Sequence, residues 1–253
     1  MTSKNVEQLD SPVKRLYEIL EKARSMPDTV AVRYVWADAL GVDREDIGSI
    51  YHALADLFTL FNAAKQSIET LKDVNRDDYL KPFDQIEEVI KQSNLDQRWE
   101  ALKRTLSATT MLALKLAANT ATVDANTVAV DAESLKNLQK EVDELIETVV
   151  DVNFSSDELK SILLEHLEII RRAILAYRVS GNEGLRRSVA GSLGDLFLHR
   201  EQIDSEARQD DEKKEVLTKF LNLLANISQV ASFGLQIAQL SGILPPLLGS
   251  GGN

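Results

Sequence analysis

The side chains able to do chemistry in this chain are few and widely spaced. There are three histidines, His52, His166 and His199, and no cysteine, which excludes a thiolate zinc site, a cysteine nucleophile and a disulfide scaffold. No HExxH pair, GxSxG elbow, Walker loop or GxGxxG turn occurs. His52 and Asp56 stand four apart, a spacing that puts two metal-ligand types on one helix face. The same spacing describes an exposed helix-stabilising pair, and that is the expected role. Glu165, His166 and Glu168 have the composition of an acid–base cluster. Only Glu165 and Glu168 share a helix face, however, so a solvated surface is expected. The carboxylates of Glu141, Asp143, Glu144, Glu147 and Asp151 suit a hard cation, yet they spread round one helix with no glycine-turned loop to gather them. No catalytic residue, metal ligand or cofactor site is assigned.

One segment has the outline of an anion site. In YRVSGNEGLRRS, residues 177–188, a helix ends near Arg178, the chain turns at Gly181, and a new helix opens with Glu183 followed by Arg186 and Arg187. Backbone N–H groups at a helix start, with Arg171 and Arg172 close in sequence and Arg178, Arg186 and Arg187 as the corner, would attract an anion. The alternative is a glycine-closed corner between two helices, its arginines paired with acidic neighbours. A DNA-reading role is excluded on charge, because 40 acidic side chains outweigh 29 basic ones and the net charge is −11.

These residues must be carried by helices. Leu, Ala, Glu, Lys and Gln dominate, prolines number five and glycines eleven, and no alternating β-branched runs are bounded by tight-turn pairs. The expected fold is an all-α bundle of eight or nine helices. At 253 residues it holds one large or two small domains. An N-terminal half over 1–120 and a C-terminal half over 131–253 are divided by the nearly uncharged stretch 117–130, or else share one core. Ser11-Pro12 opens the first helix; Asp28 caps the second, which Gly41 closes; Asp43 opens the third and Asn75 the fourth. The fifth runs from Leu95 to about Leu116. In the second half, helices cover 132–151, a stretch begun by a Ser155/Glu158 capping box and stopped at Ser180-Gly181, 183–208 with Phe197 and Ile203 inward, and 211–241.

The end of the chain differs from the rest. No charged residue follows Lys219. Asn222, Asn226, Gln229, Ser232, Gln236 and Gln239 form one uncharged polar stripe, and apolar residues fill the other sides. Two situations fit: a helix wrapped inside a bundle or an oligomer interface, or one that enters a bilayer as part of an oligomer. Residues 220–242 are long enough to cross roughly 30 Å of hydrocarbon at about 1.5 Å per residue. The interaction or membrane face would comprise Leu221, Leu224, Ile227, Leu235, Ile243 and Leu244. The N-terminus lacks an apolar signal region, so a cytoplasmic protein is expected, with membrane association only on activation.

VWADALGV (35–42) with Ile50-Tyr51, DDYLKPFDQIEEVI (77–90), Trp99, IIRRAILAYRVSGNEGLR (169–186) and the uncharged tail carry a resemblance over nearly the whole chain. It resembles a group of uncharacterised helical bacterial proteins met near anti-phage defence and mobile-element genes. That resemblance implies a setting and no catalytic residue. The expected function is a non-enzymatic adaptor or effector component that binds protein, itself or a partner, through residues 216–248. The alternative is a latent pore-forming effector using the same helix. Nucleic acid is not an expected partner.

Overall fold

A computed structural model describes residues 10–72, 75–92, 94–123 and 128–233. These residues form eleven α-helices and no strand, and an isolated antiparallel bridge links Ala31 and Arg98. The all-helical expectation holds. The count exceeds eight or nine because two expected helices are each broken, one at Leu106 and one at His199. The chain divides into two compact units. The first comprises residues up to Val128 together with Arg178–Gly181, and the second comprises Ala129–Tyr177 and the chain from Asn182 onward.

The first unit holds α1 (Pro12–Ser25), α2 (Val32–Leu40), α3 (Ile47–Glu69), α4 (Arg76–Ile90), α5 (Glu100–Thr105) and α6 (Ala108–Val123). Helix α1 packs on α3 and α6, and α4 packs on the same two. Ser11 stands at the N-cap of α1 with Pro12 at the first helical position, and Gly41 ends α2 in the left-handed conformation (φ 81°), where a glycine is unstrained. Asp28 does not cap α2. Its carbonyl accepts from the Glu100 N–H (3.0 Å), and its carboxylate takes Lys103 (2.7 Å). The reason is that the turn before α2 pairs with the turn before α5, where the Trp99 N–H donates to the Val30 carbonyl and the Val32 N–H to the Gln97 carbonyl. Helix α2 therefore begins only after Ala31. Below this pairing Trp36 and Trp99 meet edge to face, centroids 5.6 Å apart, and neither is exposed.

Similar local chemistry moves other boundaries. Asp46, and not Asp43, caps α3, accepting from the Ser49 N–H (3.0 Å) and hydroxyl (2.6 Å); Asp43 makes the preceding turn through the Glu45 N–H. The expected helix Leu95–Leu116 breaks at Leu106. There the Leu106 carbonyl accepts from Arg24 Nε (2.8 Å), and Ser107 Oγ caps the next helix by accepting from the Thr110 N–H. Within the stretch read as a divider, α6 continues to Val123.

The second unit holds α7 (Ala132–Asp151), α8 (Asp157–Leu175), most of α9 (Tyr177–Leu198), α10 (Arg200–Gln209) and α11 (Asp211–Val230). Helix α7 packs against α8 and α11, and α10 against α11. The cap of α8 is Ser156, one residue after the expected Ser155, because Ser155 is engaged elsewhere; Ser156 Oγ accepts from the Leu159 N–H. The expected helix 183–208 breaks at His199 into α9 and α10. Ile203 is buried, but Phe197 is half exposed: the buried stripe of α9 is Leu185, Ser188, Val189, Ser192 and Leu196, and Phe197 falls beside it. Helix α11 ends at Val230, and its expected continuation to 241 lies beyond the described residues after Phe233.

The start of α9 is a short excursion. Tyr177 and Asn182 belong to the second unit and are joined by a hydrogen bond from the Tyr177 hydroxyl to Asn182 Oδ1 (2.6 Å). The four residues between them belong to the first unit, where Val179 joins the core and its carbonyl accepts from Arg15 Nε (3.3 Å). Gly181 closes the excursion at φ 60°, ψ −159°, a region reserved for glycine, with the Arg15 guanidinium where a Cβ would stand.

Two substitutions test this account. Trp99→Ala is expected to lower stability by about 3–5 kcal/mol in denaturant unfolding, as deletion of a buried indole does. Gly181→Ala is expected to cost at least about 1 kcal/mol from backbone strain alone; an unchanged unfolding midpoint would refute the excursion.

Candidate functional site

Sequence separation hides the densest cluster of polar side chains. On α8, His166 is buried at 5% exposure, and its Nε2 lies 2.8 Å from Asp195 Oδ2 on α9. Further along, Glu158 accepts from Gln202 Nε2 (3.0 Å) and lies 4.0 Å from His199 Nε2, and His199 Nδ1 is 2.8 Å from the Asp195 carbonyl. Glu158 and His166 are eight apart on α8, which is why one face carries both. The expectation that Glu165 and Glu168, but not His166, share a face is correct. What it omitted was Asp195, 29 residues away, and no local spacing signals that pair. His166 Nδ1 is buried without a hydrogen-bond partner among the described residues. With one ring nitrogen against Asp195 and the other buried, the ring offers no accessible nitrogen to a substrate. The pair fastens α9 to α8.

A second cluster is more deeply buried. Glu206 and Lys213, 3% and 7% exposed, pair at 2.6 Å across the α10–α11 corner. Lys213 Nζ also donates to Ser155 Oγ (2.9 Å), and Glu206 Oε1 accepts from the Ser156 N–H (2.8 Å). Burial alone would raise the Glu206 carboxyl. The hydrogen bond from Lys213 and the backbone N–H groups of Ser155 and Ser156 outweigh it, so the group titrates below its ordinary range. This network ties the start of α8 to the α10–α11 corner.

The arginine corner is divided between partners. Arg178, in the first unit, reaches the Ala39 carbonyl (3.4 Å). In the second unit Arg186 grips Glu183 through two bonds of 2.7 Å, and Arg187 lies 3.3 Å from the same carboxylate. The Arg186 hydrogen bond, and then Arg187, hold Glu183 below the usual carboxylate range. Arg171 pairs with Asp143 (3.0 Å) and Glu168 (3.5 Å). The acidic face of α7 is likewise partnered in part, since Glu141 accepts from Asn226 (3.1 Å) and Glu144 from Lys140 (3.3 Å). His52 and Asp56 are exposed on α3. Among the described residues no group of three or more His, Asp or Glu is placed to hold a metal ion.

Leu221, Leu224 and Ile227 lie in the core of the second unit, at 2%, 0% and 0% exposure, and Asn222, Asn226 and Gln229 face outward. Leu235, Ile243 and Leu244 fall outside the described residues. Among the described residues no helix is long and apolar enough to cross a membrane.

Exposed apolar groups lie on other helices, among them Ile47 and Tyr51 on α3, Val150 on α7, and Ile169 and Leu175 on α8. On α6, Leu112 and Leu116 are 58% and 53% exposed one turn apart. On α9, Phe197 and Leu198 are 50% and 74% exposed, and with residues to Gln202 they border an open depression of about 480 Å³. Gly191 and Gly194 precede them on the same outer face, and a Cβ added at either meets nothing within 4 Å. Each costs about 1 kcal/mol of helix stability relative to alanine. No protein family, curated protein or solved structure matches the chain.

The buried pair gives a pH test. Glu206→Gln leaves Lys213 charged and unpaired and is expected to cost about 3–5 kcal/mol, most of it restored when Lys213→Met is added. A lowered carboxyl stabilises the fold fully above its ordinary value near 4.5 and loses that contribution as pH falls through the folded value. Stability measured from neutral to acid pH should therefore fall more steeply in the wild type than in the double variant.

Proposed function

We propose that this chain is a non-enzymatic helical adaptor or effector component that works by binding a protein partner. The observation that carries the reading is the outer face of α6. Leu112 and Leu116 stand in water on a helix whose one charged residue among sixteen is Lys115, in a chain where charged residues make up 27%. A paired apolar face of this kind is complementary to an amphipathic helix that offers apolar side chains at matching intervals. The chemically capable side chains support the same reading by their uses. His166 holds Asp195, Glu206 holds Lys213, and Arg186 and Arg187 hold Glu183.

The segment 216–248 takes a different part in this proposal from the one its sequence suggests. The apolar face of its described portion is core, and partner docking moves to α6. The competing reading, a latent pore-forming effector, would require Leu221, Leu224 and Ile227 to leave that core, and burial of each such side chain contributes about 1.5–3 kcal/mol against release. Anti-phage defence, the setting that the resemblance implies, stands as part of the proposal.

The test is co-expression of the full chain with the products of the genes flanking its own, followed by chromatography with light scattering. One product is expected to form a complex of defined stoichiometry. Leu112→Lys combined with Leu116→Lys should weaken that complex by at least about tenfold without lowering the melting temperature. No complex with any product, together with dye release from vesicles of phosphatidylethanolamine and phosphatidylglycerol, overturns the proposal in favour of the membrane effector.

A further inference from the structure

We propose that the end of α11 is a two-state stop, held by Phe233 and opposed by Ser232, whose release carries the helix and its apolar face beyond the second unit. The stop is explicit in the hydrogen bonding. The Ser232 N–H donates to the Gln229 carbonyl (3.2 Å), and the Phe233 N–H reaches back to the Ser228 carbonyl (3.2 Å). These paired bonds end a helix when the residue after its cap turns left-handed, and that residue is ordinarily glycine. Here it is Ser232, at φ 56°, and among the described residues no other non-glycine has a positive φ. A side chain in this region is strained. Gly234, which would adopt it freely, stands two positions further on.

Phe233 explains why the turn comes early. Asn222, Asn226 and Gln229 are exposed along one stripe of α11, and Phe233 follows Gln229 by one more helical turn. Were the helix to continue, Phe233 would stand in that stripe, in water. The turn at Ser232 instead lays its ring, partly buried, against the core of the second unit. Burial of one ring thus balances one strained residue, and no proline before Pro245 enforces the stop. The consequence lies on the opposite face. Leu224, Ile227 and Ala231 are buried, and Leu235 and Ala238 continue their spacing. With Phe233 released, α11 runs on while Leu224 and Ile227 keep their places in the core. Its apolar face then projects past the unit with no charged side chain to interrupt it, since none follows Lys219. The Phe233 contact is in this sense autoinhibitory, and it does not depend on the α6 reading.

Because the chain has no cysteine, Asn222→Cys with Gln239→Cys provides one pair of nitroxide labels in the full chain. A continuous helix holds the two positions roughly 25 Å apart in a narrow distribution, at about 1.5 Å per residue. Pulsed electron–electron resonance is expected to show that peak as a minor fraction. Phe233→Asn removes the anchor and should raise the ratio of extended to stopped chains by at least about tenfold. Ser232→Ala, which alters no core residue, should raise it by at least about fivefold through strain and helix propensity. Ser232→Gly should lower it by at least about fivefold and leave the melting temperature unchanged or raised. A distribution that is wholly the narrow peak before any further substitution overturns the proposal. So does one that either Phe233→Asn or Ser232→Ala leaves unchanged, or a Ser232→Gly chain that extends as often as the parent.

Discussion

Every helix leaves its last carbonyls without partners, and a protein built from many short helices has many such ends. This chain meets that constraint with cations brought from elsewhere in the sequence. Arg24 reaches the Leu106 carbonyl, Lys103 that of Met26, Lys22 that of Asp38, Arg178 that of Ala39, and Arg76 that of Leu71. In the second unit Lys160 donates to both Val150 and Val152 where α7 ends. A flexible cationic stem satisfies an acceptor and suits the negative end of the helix dipole in one contact. Three of these bonds, from Arg24, Lys103 and Arg178, join segments more than seventy residues apart.

The charge balance follows from that use. Basic residues are the minority, 29 against 40, and many are committed to carbonyls or to single carboxylates. The uncommitted charge is mainly acidic, and it lies on outer faces such as that of α7. The buried exceptions, His166 with Asp195 and Glu206 with Lys213, each join elements of the second unit. Among the described residues the buried polar groups serve to join helices.

How much of this was legible in the sequence depended on whether the deciding contact was local. Ser11-Pro12, Gly41 and the apolar periodicity of α1, α3 and α7 are local signals, and they located those elements. Asp28 and Asp43 carried the composition of caps, but pairing of 28–33 with 95–100 displaced one boundary, and the hydroxyl of Ser49 favoured Asp46 at the other. The break at Leu106 depended on Arg24, 82 residues away. His166 could not be matched to Asp195 by spacing, and Glu206 could not be recognised as buried in a run of acids. Leu221, Leu224 and Ile227 were legible as apolar, but whether they faced core, partner or lipid was not, since all three demand the same periodicity.

The four residues between Tyr177 and Asn182 have a consequence for modularity. Because Arg178–Gly181, with Val179 in the core, belong to the first unit while Tyr177 and Asn182 on either side belong to the second, neither unit is a contiguous stretch of chain. A cut after Val128 would give a leading fragment with a gap in its interior and a trailing fragment with an orphaned valine. Genetic exchange could not shuffle one unit without the other, and a ribosome could not release the first in finished form before some fifty further residues had been made. The two units are in that sense one heritable and one biosynthetic object.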